Sequence, residues 1–218
     1  MVKKILLILG VIVIFNMNIF ADRINRKGRS FFGTDASINT YIIAIKQSPD
    51  TDLKIYAIRQ LSRYSSNPKA ISALLYALKL GISEVQVNSN RNQEGPVKIR
   101  STAAFALSRT KIQINQVLIA LRKTMMVDPS YNVQGNAALA MAWLGYRSKD
   151  DIKIRVVIYL KRKISRTSKN RIKLIAMIVR AFGINRHSNA RMFLNIMRSR
   201  GYGSIVNREI RRALQKLR

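Results

Sequence analysis

Residues Ile99–Leu107 read IRSTAAFAL. The stretch is apolar enough to be buried, yet its middle is built from Thr102, Ala103, Ala104 and Ala106. Small side chains let one helix backbone come close to another. The stretch therefore implies a tight crossing, and the rest of the chain decides whether that crossing happens once or is repeated.

It is repeated. Leu53 opens LKIYAIRQL, Val133 opens VQGNAALAM, Ile172 opens IKLIAMIVR and Val206 opens VNREIRRAL. An aliphatic residue leads each time, and four positions on stands Ala57, Ala103, Ala137, Ala176 or Ile210. Eight positions on stands Leu61, Leu107, Met141 or Leu214, with Arg180 the exception. Spacings of four and eight lie on one face of a helix. The starts are 46, 34, 39 and 34 residues apart, a period that belongs to helical solenoids. A second apolar helix is expected between each pair of starts: Ala70–Leu78, Ile114–Leu121, Ile152–Leu160 and Asn189–Met197, with Ile38–Ile45 as a leading partner. Asn67-Pro68, Gly95-Pro96, Asp128-Pro129 and Gly201-Tyr202-Gly203 supply turn chemistry between them, and Ile82–Gly95 reads as a surface loop. The third unit, around Ala137–Ala142, is apolar nearly all round, as a helix enclosed by protein should be.

IRSTAAFALS, AISALLYAL (Ala70–Leu78) and AALAMAWLG (Ala137–Gly145) resemble HEAT repeats, specifically the short HEAT-like type of the phycobilin lyases. The arginine that follows the aliphatic lead in that family falls on Lys54, Arg100 and Lys173 here, and Gln134 and Asn207 replace it elsewhere. The resemblance covers residues 37–218. It implies an all-α fold, a right-handed α-solenoid of about five HEAT-like helix pairs, and says little about function because such solenoids host many tasks.

The ends and the charge balance narrow the function. Residues 1–21 combine Lys3 and Lys4, an apolar run from Ile5 to Phe15 and a small residue, Ala21. This is the pattern of a secretory signal peptide, or of a retained N-terminal membrane anchor if the apolar run is counted through Phe20. Residues 22–36 read as a basic flexible linker. Export would place the protein in the periplasm or cell envelope of a bacterium. The chain has 40 Lys and Arg against 10 Asp and Glu, a formal net charge of +30, and no cysteine. Such a field attracts anionic partners; the missing cysteines exclude disulfides and thiolate chemistry.

Catalytic and metal chemistry finds no foothold in the residues. His187 is the single histidine and lies in a turn. Asp50, Asp52, Asp150 and Asp151 stand where helices begin, where carboxylates cap. No phosphate-binding glycine loop or nucleophile elbow is present. The reading is of no catalytic, cofactor or metal site. A family of alkylated-base DNA glycosylases is also built of HEAT-like repeats, with an aspartate beside aromatic side chains. That makes a DNA-binding protein of this type the alternative, with nucleic acid as partner only if the chain is not exported. Asp150, seven residues from the one tryptophan, Trp143, would be its candidate acid.

Two basic surfaces remain as candidates for partner binding. In KRKISRTSKNRIK, residues 161–173, Lys161, Arg162, Lys163, Arg166, Lys169, Arg171 and Lys173 are basic. Register supplies the other. One position after each lead gives Lys54, Arg100, Gln134, Lys173 and Asn207; ten after gives Arg63, Arg109, Trp143, Phe182 and Lys216. These rows are expected to line a groove. The expected partner-binding residues are Lys54, Arg63, Arg100, Arg109, Lys161, Arg162, Lys163 and Lys173, with Trp143 expected in the core. The function that follows is a non-enzymatic scaffold or adaptor that binds an acidic protein, or an anionic envelope polymer or lipid surface, through a basic groove.

Overall fold

The computed structural model of the protein describes residues 35–80 and 94–217. The expected signal segment, the expected linker up to residue 34 and residues 82–93 of the loop expected over Ile82–Gly95 lie outside the described residues. The chain divides into two units, Met1–Ser37 and Ile38–Arg218; the second holds the helical domain. The described residues are helical throughout, with turns between, so the fold is all-α as expected. The helices are α1 (Asp35–Gln47), α2 (Thr51–Leu61), α3 (Pro68–Ala77), α4 (Glu94–Leu107) and α5 (Ile114–Val127). They continue with α6 (Tyr131–Tyr146), α7 (Asp150–Ser165), α8 (Ile172–Asn185), α9 (Ala190–Ser199) and α10 (Ser204–Lys216). The first begins two residues ahead of the boundary expected at residue 37.

Local chemistry sets several of these ends. Asp50 accepts from the Asp52 N–H at 2.8 Å and caps α2. Asn67 accepts from the Lys69 and Ala70 N–H groups at 2.9 and 3.2 Å, and Pro68 follows in the first turn of α3, where its missing N–H costs nothing. Gly95-Pro96, expected to break the chain, sits instead inside the first turn of α4. The reason is the same: first-turn N–H groups have no intrahelical partner, so Pro96 removes no bond there.

The even-numbered helices form a continuous series, α2 on α4, α4 on α6, α6 on α8 and α8 on α10. The odd-numbered ones lie against them: α3 touches α2 and α4, α5 touches α6, α7 touches α6 and α8, and α9 touches α10. Among the odd helices, α5 also meets α7. Ala103, Ala104 and Ala106 of α4 are buried, which answers why IRSTAAFAL uses small residues: its helix is packed by α2, α3 and α6 together. The same device recurs along the series. A methyl group on Gly183 of α8 would stand 2.9 Å from the Ala213 Cα of α10, and one on Gly135 of α6 would collide with Met177 of α8. Helix α6 is buried over most of its surface, from Val133 to Gly145, because it has neighbours on four sides. The last pair is tied by Glu209, buried between Arg180 (3.2 Å) and Arg212 (2.8 Å). The hydrogen bonds and charge of Arg180, then those of Arg212, hold its carboxyl below the usual range.

Candidate partner-binding edge

The eight expected binding residues do not form one site. Arg100 is fully buried. Its Nε and Nη2 donate to the Asp128 carboxylate at 2.9 and 3.2 Å, and Nη1 donates to the Leu80 carbonyl at 2.9 Å. It belongs to the interior and is withdrawn from the binding set. Its row behaves alike: buried Gln134 donates to the Asp128 carbonyl and Asn207 to the Tyr202 carbonyl. Gln134 and Asn207 thus clamp the turns in front of their own helices, and Arg100 clamps the turn in front of the next even helix, α6. These three do not line a groove, because a residue beside a buried lead is drawn into the same interface. Lys54 and Lys173, the other members, are half-buried and exposed, in the first turns of α2 and α8.

The basic run 161–173 is also divided. Arg162 and Lys173 are exposed, Lys161 is half-buried with its ammonium 5.7 Å from the centre of the Phe193 ring, and Arg171 lies 3.6 Å over Tyr131. Lys163 is only 8% exposed and its Nζ lies 3.4 Å from the Met126 carbonyl. It too is removed from the surface set. Burial pushes its ammonium below the usual lysine value. A base depressed in the folded state binds fewer protons there than in the unfolded chain, so stability rises with pH across that interval. Lys163→Met is expected to melt at or above the parent protein near neutral pH, and the difference should shrink as pH approaches ~10.4, the ordinary lysine value. Thermal melts of both proteins over a pH series check this.

What the fold does bring together is the C-terminal ends of the even helices. Arg63, Arg109 and Arg147, just past the ends of α2, α4 and α6, line one groove of about 650 Å³ with Lys111. Serines, Thr110, Ile114 and Leu144 complete the wall, and no acidic side chain lines it. Arg63, Arg109, Lys111 and Arg147 are all exposed. Arg147 donates to the Ser108 carbonyl at 3.3 Å, tying the end of α4 to α6. A cation at a helix C-terminus also complements the helix dipole, so these positions are stable places for positive charge.

Aromatic rings stand under two of these guanidinium groups and under that of Arg186. Arg109 lies 5.5 Å over Phe105, Arg147 5.5 Å over Trp143, and Arg186 5.1 Å over Tyr146. Trp143 and Tyr146 meet edge to face at 6.1 Å. Phe105 is 54% and Tyr146 39% exposed. The row so formed runs from Arg63 along the ends of α4 and α6 to Arg186 after α8. Arg186 has φ 53°, the left-handed region where glycine is the cheaper residue. A bulky cation is held there nonetheless, above an exposed tyrosine.

Of the expected row ten positions after each lead, Arg63 and Arg109 are in this edge. Trp143 is half-buried beneath Arg147, neither core nor freely exposed. Phe182 is fully buried against Phe193 and is removed. The fixed register failed because α6 and α8 run on to Tyr146 and Asn185, more than a turn beyond the point where α2 and α4 stop. Arg147 and Arg186 therefore occupy the ends that Arg63 and Arg109 occupy earlier. The spacing of four in Phe105/Arg109 and Trp143/Arg147 was the available signal.

Among the described residues no group of three His, Asp or Glu side chains could hold a metal ion, and no helix is long and apolar enough to cross a membrane. His187 accepts the Asn189 N–H at its Nδ1 and is half-buried in its turn. Asp150 pairs with Lys153 at 2.9 Å in the first turn of α7. No protein-family model matches the chain, and a search of curated proteins finds no match.

Proposed function

We propose that the protein is a non-enzymatic adaptor of the HEAT-like kind, a right-handed solenoid that holds an acidic polypeptide along the arginine–aromatic edge of its even helices. The observation that carries this is the acid-free groove lined by Arg63, Arg109, Lys111 and Arg147 and continued by exposed aromatic rings. Guanidinium groups recognise carboxylates as planar donors, and the rings supply apolar anchors beside them. The alternation of even helices in series with odd helices against them supports the repeat reading. The charged and apolar pattern of residues 1–21 supports work outside the cytoplasmic membrane, in the periplasm or envelope. The base-excision alternative has less behind it: the rings of the edge stand with arginines, and Asp150 is engaged by Lys153.

Poly-glutamate is a suitable probe. Arg63→Gln, Arg109→Gln and Lys111→Gln combined are expected to weaken its binding about tenfold and to flatten its salt dependence. The same charge change at Lys123, Arg162 and Arg200 should do neither. Arg186→Gly should melt at or above the parent temperature, since glycine relieves the left-handed backbone, while binding more weakly. Equal losses from both triple variants would sink the edge as the site. Release of alkylated bases from DNA by the intact chain would sink the non-enzymatic reading.

A further inference from the structure

The odd helices carry a second pattern that the edge does not use. On α5, exposed Ile119 is followed four residues on by exposed Lys123; on α7, exposed Ile158 is followed by exposed Arg162. Residues four apart on a helix share one face, so each pair points outward together. The two helices run side by side in parallel register. Arg155 donates to Asn115 at 2.9 Å, Arg122 lies 4.6 Å over Tyr159, and Lys163 reaches the Met126 carbonyl. These links join positions 37 to 40 apart. That offset sets Ile119 beside Ile158 and Lys123 beside Arg162. An apolar row and a cationic row therefore lie next to each other, about one helical turn (~5.4 Å) apart. Helix α9, joined to α7 through Lys161 and Phe193, extends the apolar row with Met192 and Ile196, 71% and 43% exposed. The first two odd helices repeat the motif with Ile43/Lys46 and Tyr76/Lys79, all exposed.

We infer that this outer face docks on an anionic lipid bilayer. In a bilayer interface, lipid phosphates lie at one depth and the acyl boundary a few ångströms deeper. Adjacent rows of cations and aliphatic side chains fit those two levels. A second copy of the chain is disfavoured as the occupant, because it would bring cationic row against cationic row. The two carboxylates of α7, Asp150 and Asp151, are at its opposite end from Arg162, and α5 carries none, so no acidic side chain of either helix stands in the cationic row. The inference is independent of the edge, whose groove these residues do not line.

The absence of cysteine from the chain makes a site-specific test direct. Single variants Ile158→Cys, Met192→Cys and, in the groove, Ser148→Cys are made in the full chain and labelled with a polarity-sensitive fluorophore. They are mixed with vesicles of phosphatidylcholine alone or with an equal part of phosphatidylglycerol, some carrying brominated acyl chains. Labels at 158 and 192 are expected to shift to the blue and be quenched by bromine only on the anionic vesicles; the label at 148 should change little. Adding Lys123→Gln and Arg162→Gln should weaken the response about 30-fold. Equal quenching at all three positions, or none at 158 and 192, overturns the proposal. So does a response that survives the double charge variant. If poly-glutamate without vesicles shifts the labels at 158 and 192, the face belongs to an acidic polypeptide and the lipid assignment falls.

Discussion

Arg100→Met is expected to melt far below the parent protein. The guanidinium and the Asp128 carboxylate are both fully buried and joined by two hydrogen bonds. Removing one partner leaves an uncompensated charge inside the stack, which costs about 3–5 kcal/mol. For a domain of this size that lowers the melting temperature by on the order of 10 °C. Adding Asp128→Asn to Arg100→Met should recover part of the loss, since no buried charge is then left alone. A double variant less stable than the single one would show that Asp128 matters more to the backbone of its turn than to Arg100. Its Oδ1 also accepts the Ser130 N–H at 2.9 Å.

Phe182→Ala and Trp143→Ala are expected to separate sharply. Phe182 has no exposed surface and packs on Phe193, with ring centres 5.6 Å apart. Its truncation should cost about 3–5 kcal/mol, the range for emptying a core aromatic site. Trp143 is half-buried and carries Arg147 on its face. Its truncation should lower the melting temperature much less and weaken poly-glutamate binding, because the guanidinium loses the ring that positions it. Calorimetric melts and a binding isotherm on the two variants check both halves. Comparable melting losses would return Trp143 to the core, where residue type alone places it.

The adaptor reading and the lipid-facing inference assign different work to two layers. The even helices end in cations stacked on rings, which suits an extended acidic chain. The odd helices show single large apolar residues one turn before a cation, which suits a surface. In both, the excess of positive charge has a place. Most acidic side chains of the described residues are taken up at helix starts, as Asp50 is, or in pairs such as Arg100–Asp128 and Arg180–Glu209.

The sequence by itself determined the helical class, the places of most helices and the small-residue crossings. Those depend on period, on caps such as Asp50 and Asn67, and on residue size, all of which are local. It also contains the spacing of four between Phe105 and Arg109 and between Trp143 and Arg147, which takes on meaning only once the helix ends are placed side by side. Only the tertiary structure decided which cations are surface. Arg100 and Lys163 are read as exposed on charge alone, yet both are buried, because a partner 28 residues away and the Met126 carbonyl 37 residues away receive them. The binding row likewise depended on helix length. The extra turn of α6 and α8 moved the end of the series from Trp143 and Phe182 to Arg147 and Arg186. That extension is held by packing between helices distant in the chain, a term that no single repeat contains.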